Sequence, residues 1–416
     1  MAFQERRPIA AVLAAMAITV GFTASGCDSG GRAVPSIPAP SPSAPPSWAQ
    51  ADPANPGWAQ PVPSHRSWRL THMFDYGDFD AMEGAILFGP ADGWAFGETN
   101  SLDEGEVFPI ALRWNGRSWR QMNVLPRLQG VISSMSASAP DDIWVTVHGD
   151  VDTYVLRYDG HRWSQVRAPA AEIFAVRTLG RRGVWLMGND VGKPTNAWFS
   201  ETAARSGGGP WRKTRLPVGY LKWVAPVSGP GMWAYGGNRV ARLDGAKWRK
   251  VSTDGALPPD DETRTYTITS MLALADDDVW LFGERGETNE PYPIAAHWNG
   301  RSWERVAVPA GRRLGQACVD SRGRLHVIAS PMLFDSPESA VVLSRYPDGR
   351  WEVSTIPVPQ GTAARLRGLA VVPGTDEVMV FGEVEIAGER NNGNGYTSSS
   401  VIYISAGSDG AAGLPR

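Results

Sequence analysis

The residues best placed to do chemistry are carboxylates gathered in short stretches: Asp103, Glu104 and Glu106; Asp260, Asp261 and Glu262; Glu284, Glu287 and Glu290. Clustered carboxylate oxygens suit a hard cation or a basic partner, and carboxylates converging from separate stretches can also act as acid and base on a polysaccharide. These residues are the candidate binding site. No cofactor is required, calcium is the one ion the pattern could hold, and no catalytic residue can be named. His148, His161, His297 and His326 are scattered without the spacing of a zinc site. Cys318 lies among Gln316, Ala317 and Val319, a strand-like setting in which a thiol is a small buried hydrophobe.

The other cysteine, Cys27, ends an export signal. Arg6 and Arg7 precede an apolar run from Ile9 to Phe22, too short to span a bilayer comfortably, and small residues come after it. Ala24-Ser25-Gly26-Cys27 resembles the bacterial lipobox, with Ala where Leu is usual. The resemblance implies a signal peptide over 1–26 and a diacylated Cys27 on the outer face of the cell membrane; two acyl chains anchor stably where one is marginal. With Cys27 acylated, no internal disulfide remains. Residues 27–63 form a Pro/Ser/Ala-rich tether with ten prolines between Asp28 and Pro63, among them Pro35, Pro38, Pro40 and Pro42. Such density favours an extended chain, which at about 3.1 Å per residue reaches on the order of 100 Å. Two copies of Trp-Ala-Gln, at Trp48 to Gln50 and Trp58 to Gln60, are expected to pack weakly on the folded domain. Lysine occurs only five times, the bias of a GC-rich, actinobacterial genome.

The elements that must position the carboxylates are strands. The chain has 416 residues and a net charge of -3, which removes the basic footprint that nucleic-acid binding needs. Forty-six Gly, 33 Pro and 18 Trp point to many short strands and turns. Two signatures recur. The first is an apolar strand closing on Gly: Trp94 to Gly97, Trp185 to Gly188, Trp233 to Gly236 and Trp280 to Gly283, with variants at Trp144 to Val147 and Val378 to Gly382 and a degenerate copy at Leu325 to Ile328. The second places Asn-Gly or Asp-Gly between an aromatic and a tryptophan: Trp114 to Trp119, Tyr158 to Trp163, Trp298 to Trp303 and Tyr346 to Trp351, with Leu243 to Trp248 as a variant. These pairs predict type I′ hairpins. With an apolar strand ahead of each signature, every unit has four strands, and such units repeated at about 40–50 residues mark a β-propeller.

The Trp-x-x-Gly strand occurs seven times and the outer-strand tryptophan six times, at Trp119, Trp163, Trp211, Trp248, Trp303 and Trp351. The missing outer strand is supplied by the start of the domain, where His65-Arg66-Ser67-Trp68-Arg69 mimics Gly300 to Glu304. The expectation is an all-β, seven-bladed propeller over 64–405, closed by its N-terminal strand, with a disordered tail at 406–416. Most tryptophans are then inter-blade core, with Trp223 out of register.

The repeats resemble secreted bacterial propellers of the kelch or galactose-oxidase type and of the Asp-box type found in sialidases. Only Gly236-Gly237 keeps the kelch double glycine, and the Asp-box position is Trp114, Tyr158 or Trp298. No motif matches a sialidase arginine triad or a copper-radical centre. The resemblance therefore implies fold more than activity. The expected function is a membrane-anchored extracellular binding or scaffold module, monomeric, meeting a protein or glycan on the face carrying the second-to-third-strand connections. That face should be acidic, with few basic residues beyond Arg264 and Arg285. The alternative is a polysaccharide hydrolase or lyase with its site over the channel.

Overall fold

In a computed structural model the chain divides into two units, Met1–Ser41 and Pro42–Arg416. The structure describes residues 57–74, 79–101, 106–122, 128–149, 153–190, 194–201, 210–218, 225–226, 232–236, 238–245, 247–257, 266–285, 292–331, 338–359, 362–387 and 396–406. Cys27, the signal segment, the tether before 57, Trp223 and the tail beyond 406 lie outside them.

Three short strands come first: β1 (Trp58–Ala59), β2 (Val62–Pro63) and β3 (Trp68–Phe74). Sets of consecutive strands come next. They are β4 (Phe79–Gly89), β5 (Asp92–Ser101), β6 (Glu106–Trp114) and β7 (Trp119–Gln121); β8 (Val131–Ala139), β9 (Asp142–His148), β10 (Thr153–Tyr158) and β11 (Trp163–Val166); and β12 (Glu172–Thr178), β13 (Val184–Asn189), β14 (Asn196–Ser200) and β15 (Arg212–Arg215). Then come β16 (Ala225–Pro226), β17 (Trp233–Gly236), β18 (Arg239–Asp244) and β19 (Lys247–Val251), and after them β20 (Tyr266–Ala275), β21 (Asp278–Arg285), β22 (Tyr292–Trp298) and β23 (Trp303–Val306). After β24 (Val308–Pro309) come β25 (Arg312–Val319), β26 (Leu325–Pro331), β27 (Val341–Arg345) and β28 (Trp351–Thr355), then β29 (Thr362–Val371), β30 (Val378–Ala387) and β31 (Tyr396–Ser405).

Consecutive strands of a set pair as antiparallel meanders, the arrangement of an all-β propeller. Seven separate blades were expected. Five blade sheets stand apart, while β29-β30-β31-β4-β5-β6-β7 runs as one eight-stranded sheet with β3 paired to β31. One parallel bridge, Ser398 opposite Phe79, makes that continuity. First strands touch in a circuit: β4 meets β8, β8 meets β12, β12 meets β16, β20 meets β25, β25 meets β29, and β29 returns to β4; β17 meets β20.

Four of the glycines that close the second strands have a steric cause. A Cβ on Gly97, Gly188, Gly283 or Gly382 would lie 2.1, 1.9, 2.5 or 2.0 Å from a first-strand carbonyl oxygen, where only hydrogen fits. At the same level the first strand bulges, between Met82 and Gly84, Ile173 and Ala175, Ile268 and Ser270, and Leu366 and Gly368. The glycine thus accommodates a bulge in the strand beside it.

The Asn-Gly and Asp-Gly turns differ from the expected two-residue type I′ form. Trp114 pairs with Trp119, Tyr158 with Trp163 and Trp298 with Trp303, leaving four residues between them. Asn115 Oδ1 accepts from the amides of Arg117 and Ser118, both at 2.9 Å, and Asp159 and Asn299 repeat the pattern. The side chain therefore closes the loop, and the glycine supplies the positive φ, 92° at Gly116. The variant turn is shorter, with Asp244 opposite Lys247.

Outer-strand tryptophans pack on the preceding sheet. Trp163 meets Trp94 edge-on at 5.8 Å, Trp248 meets Trp185 at 5.7 Å, Trp303 meets Trp233 at 6.4 Å, and Trp119 meets Phe381 at 6.2 Å. Trp351 lies with Trp280 and Phe282, and Trp211 packs against the cluster of Trp144. Trp68 on β3 does the same against Ile328 and Val342. Its indole donates to Ser354 Oγ at 2.6 Å, as Trp351 donates to the Ala307 carbonyl and Trp303 to the Ser252 carbonyl.

Residues 57–63, assigned by sequence to the tether, are docked. Trp58–Ala59 pairs in parallel with Val308–Pro309, and Val62–Pro63 adds a fifth strand to β28. The Trp58 ring lies 4.5 Å from that of Tyr292 in a cavity also lined by Ile294, Arg305 and Val306.

Candidate functional site

The turns joining first to second and third to fourth strands lie at one end of the sheets, and the second-to-third connections lie at the other. We call these the hairpin and loop faces. Of the carboxylates singled out by sequence, Asp103, Glu104, Asp260, Asp261, Glu262, Glu287 and Glu290 lie outside the described residues, as does Arg264. Glu106 opens β6, half-buried, opposite Ser101. Glu284, near the end of β21, is held by both nitrogens of a guanidinium fork, with Arg313 Nε at 2.8 Å and Nη2 at 2.9 Å. The structure brings neither of them to another member of the predicted set among the described residues.

What it does bring together is a cluster around Arg367, the bulge residue midway along first strand β29, which continues toward the loop face through Arg365 and Arg312. Arg367 Nη1 donates to Glu83 Oε1 of β4 and to Glu98 Oε1 of β5 at 3.2 Å, while Nη2 donates to Glu383 Oε2 of β30 at 2.9 Å. Beside it Arg365 pairs with Glu385 at 2.9 Å, and Arg312 with Glu338 at 3.2 Å. The Arg367 side chain is 36% exposed, so solvent reaches the cluster. Burial, reinforced by the Glu83 charge, pushes the Glu98 carboxyl up to about 7 against the pull of Arg367. Burial likewise raises Glu383. Although burial works against its charge, the three carboxylates raise Arg367 above the ordinary arginine value.

The expected scarcity of basic residues on this face is therefore corrected. Arg312, Arg313, Arg365 and Arg367 all meet carboxylates there. They were missed because they belong to first strands, which carry no signature of their own. The second-strand glycines were the available signal: each pairs with the residue just before a bulge, so Gly97 points to Glu83 and Gly382 to Arg367.

On the hairpin face a second group has the connectivity of a hydrolytic triad. His326 Nε2 lies 3.0 Å from Asp320 Oδ2, and its Nδ1 lies 2.8 Å from Ser344 Oγ. Burial depresses His326, with the bond to Asp320 opposing it, so the ring is neutral and donates to the carboxylate while accepting from the serine. Burial would raise Asp320, yet bonds from His326 and Arg324 outweigh it and hold its carboxyl well below the usual range. Arg324 bonds Asp320 at 2.7 Å and Asp376 at 2.9 Å, and Arg66 donates to the Asp376 carbonyl at 3.1 Å. Ser344 is only 3% exposed and His326 fully buried, so no substrate carbonyl reaches the hydroxyl and the network is structural. Cys318, paired with His326 across β25 and β26, has its thiol pushed up to about 12 by burial and by Asp320. That makes it a poor nucleophile.

No protein-family model and no curated protein matches the sequence. Solved structures match the fold. YCF48 bound to D1 peptide superposes with a TM-score of 0.54 at 11% identity, covering 84% of this chain and 98% of that one. The extracellular domain of a putative hybrid two-component system from B. thetaiotaomicron gives 0.53 at 11%, covering 81% of this chain and 40% of that one. U3-55K gives 0.51 at 8%, with coverages of 80% and 98%. At these identities the likeness establishes the β-propeller fold and nothing finer.

Proposed function

We propose that this chain is a binding or scaffold module: a seven-bladed propeller, lipid-anchored at Cys27 on the outer face of the membrane, that holds a protein or glycan partner on its loop face. The observation that carries the reading is the contrast between faces: loop-face charges around Arg367 are accessible, while the hairpin-face network is sealed. In this reading the eight-stranded sheet is two blades bridged at Ser398 and Phe79, with β3 as the fourth strand of the last. The pattern of tryptophans reaching back to the preceding sheet, Trp68 included, supports that count. YCF48, of similar fold, is bound to a peptide in its own structure.

One observation favours the alternative of a polysaccharide hydrolase or lyase. A carboxyl raised to about 7, as at Glu98, is what a general acid needs. Photo-crosslinking separates the readings. A crosslinkable residue at Glu106 should capture one partner on the native membrane, and one at Arg301 should not. Capture from Arg301 alone would overturn the loop-face assignment, and glycan cleavage by the full chain that Glu98→Gln abolishes would establish the alternative.

A further inference from the structure

The Arg367 cluster stands where two edge strands meet. β29 pairs only with β30, and β4 pairs with β5 along its length and with β31 only at Phe79, so the rest of the β4 edge faces β29. They approach closely: a Cβ on Gly368 of β29 would lie 2.4 Å from the Glu83 carbonyl oxygen and 2.8 Å from Gly84 Cα. No ladder joins β4 to β29; the nearest main-chain link is the single bridge from β31 to β4, Ser398 opposite Phe79, with Ser398 Oγ donating to the Asp80 carbonyl at 3.3 Å. Side chains hold the junction: Met82 and Ala85 share an apolar cluster with Ala370, Met379 and Phe381, and a charged cluster lies beside it. Arg367 is the only one of the cluster's four members that carries positive charge, and it reaches both sides: Glu83 and Glu98 across the seam, Glu383 on its own.

The charges do not balance. Glu83, Glu98 and Glu383 against Arg367 leave two negative charges uncompensated, and the neighbouring Arg365 and Glu385 cancel each other. Of the other strands packed here, β8 carries no titratable side chain and β31 only Tyr396 and Tyr403, while β25 brings Arg312 and Arg313, paired with Glu338 and Glu284, and β26 brings His326, held by Asp320 and Ser344. Asp80 of β4 is acidic. Like charges held this close cannot all ionise freely, so one carboxyl keeps a proton into the neutral range.

We propose that the seam between β4 and β29 is a proton-operated clasp, closed while Glu98 or Glu383 is protonated beside Glu83 and loosened when both are ionised. The direction comes from linkage. A carboxyl that holds its proton more tightly folded than unfolded contributes stability that is complete below the unfolded value of about 4.5 and is lost as pH rises toward about 7. The device concerns the ring itself and holds whichever partner the loop face takes.

The test is thermal unfolding of the full chain from pH 5.5 to 8.5, with backbone hydrogen exchange corrected for its intrinsic pH dependence. The wild type should lose about 2–5 °C over that range. Loss of protection should concentrate in Phe79–Gly84 and Thr362–Gly368 and spare β20 to β23. Glu98→Gln should flatten the profile and melt above the wild type at pH 8.5. Should that variant fail to fold, Glu83→Gln and Glu383→Gln each remove one charge and should flatten it equally. Glutamine variants whose profiles run parallel to the wild type, or protection lost evenly around the ring, would overturn the proposal.

Discussion

Two charged networks, one on each face, are built from the same residue types and behave oppositely. At Asp320 the centre is sealed and the charges are balanced: Asp320, Arg324 and the neutral His326 are buried, His326 spends both ring nitrogens on Asp320 and Ser344, and Asp376 meets Arg324 and a half-exposed Arg322 at the rim. At Arg367 the groups are reachable and unbalanced, with three carboxylates on one guanidinium. Sealing and balance make a network part of the scaffold, because each group is satisfied only in the folded arrangement. Exposure and imbalance leave a group with affinity to spare for protons or for a partner.

The largest expected break of this comparison is Asp320→Ala. It strips a buried arginine and a buried histidine of their shared acceptor, and about 3–5 kcal/mol of stability should be lost in a urea titration. In the wild type the depressed Asp320 carboxyl gives stability that is present above the unfolded value of about 3.8 and disappears as pH falls below it, the reverse of the loop-face dependence. Trp68→Ala should cost a similar 3–5 kcal/mol or so, since the indole is buried and bonded to Ser354. The half-buried Trp58 should cost only about 1–2 kcal/mol by the same measurement.

A smaller effect separates the glycines. Gly382→Ala drives a methyl into the Arg365 carbonyl and should cost about 1–3 kcal/mol, whereas Gly311→Ala meets nothing within 4 Å and carries only the strain of its φ of +78°. The smallest effect concerns His72, whose ring stacks on Phe74 and which burial holds at about 4. It must stay neutral to remain buried, so its contribution is lost as pH falls from about 6.5 toward 4. Replacing His72 with Phe should remove that part of the acid sensitivity in a pH series of melting curves.

Much of the scaffold was legible because its signals are local. Tryptophans at fixed distance from Asn-Gly or Asp-Gly mark third and fourth strands, and Trp-x-x-Gly marks second strands whose glycines face a backbone. The turn type was misread because Asn115 acts through its side chain, an Asx-type closure that sequence shares with type I′ hairpins. First strands were hard to place, since what distinguishes them is a bulge, a property of pairing and not of composition. Glu83 and Arg367 are 284 residues apart and meet only because the two ends of the domain adjoin. Likewise His326 carries no spacing signal, because its meeting with Asp320 and Ser344 depends on the pairing of β25, β26 and β27.

The claim on which the loop-face reading rests is that β3 closes the ring beside β31. The most direct measurement compares thermal unfolding and β31 amide protection in a chain beginning at Ser64 with those in a chain beginning at Phe79. Removing β3 uncovers the partners of Trp68, Leu70, His72 and Met73 on β31 and leaves its edge unpaired. The account predicts that the shorter chain melts at least several degrees lower or aggregates, with exchange accelerated across Tyr396–Ser405. Equal melting and equal protection of that strand in the two chains would contradict it.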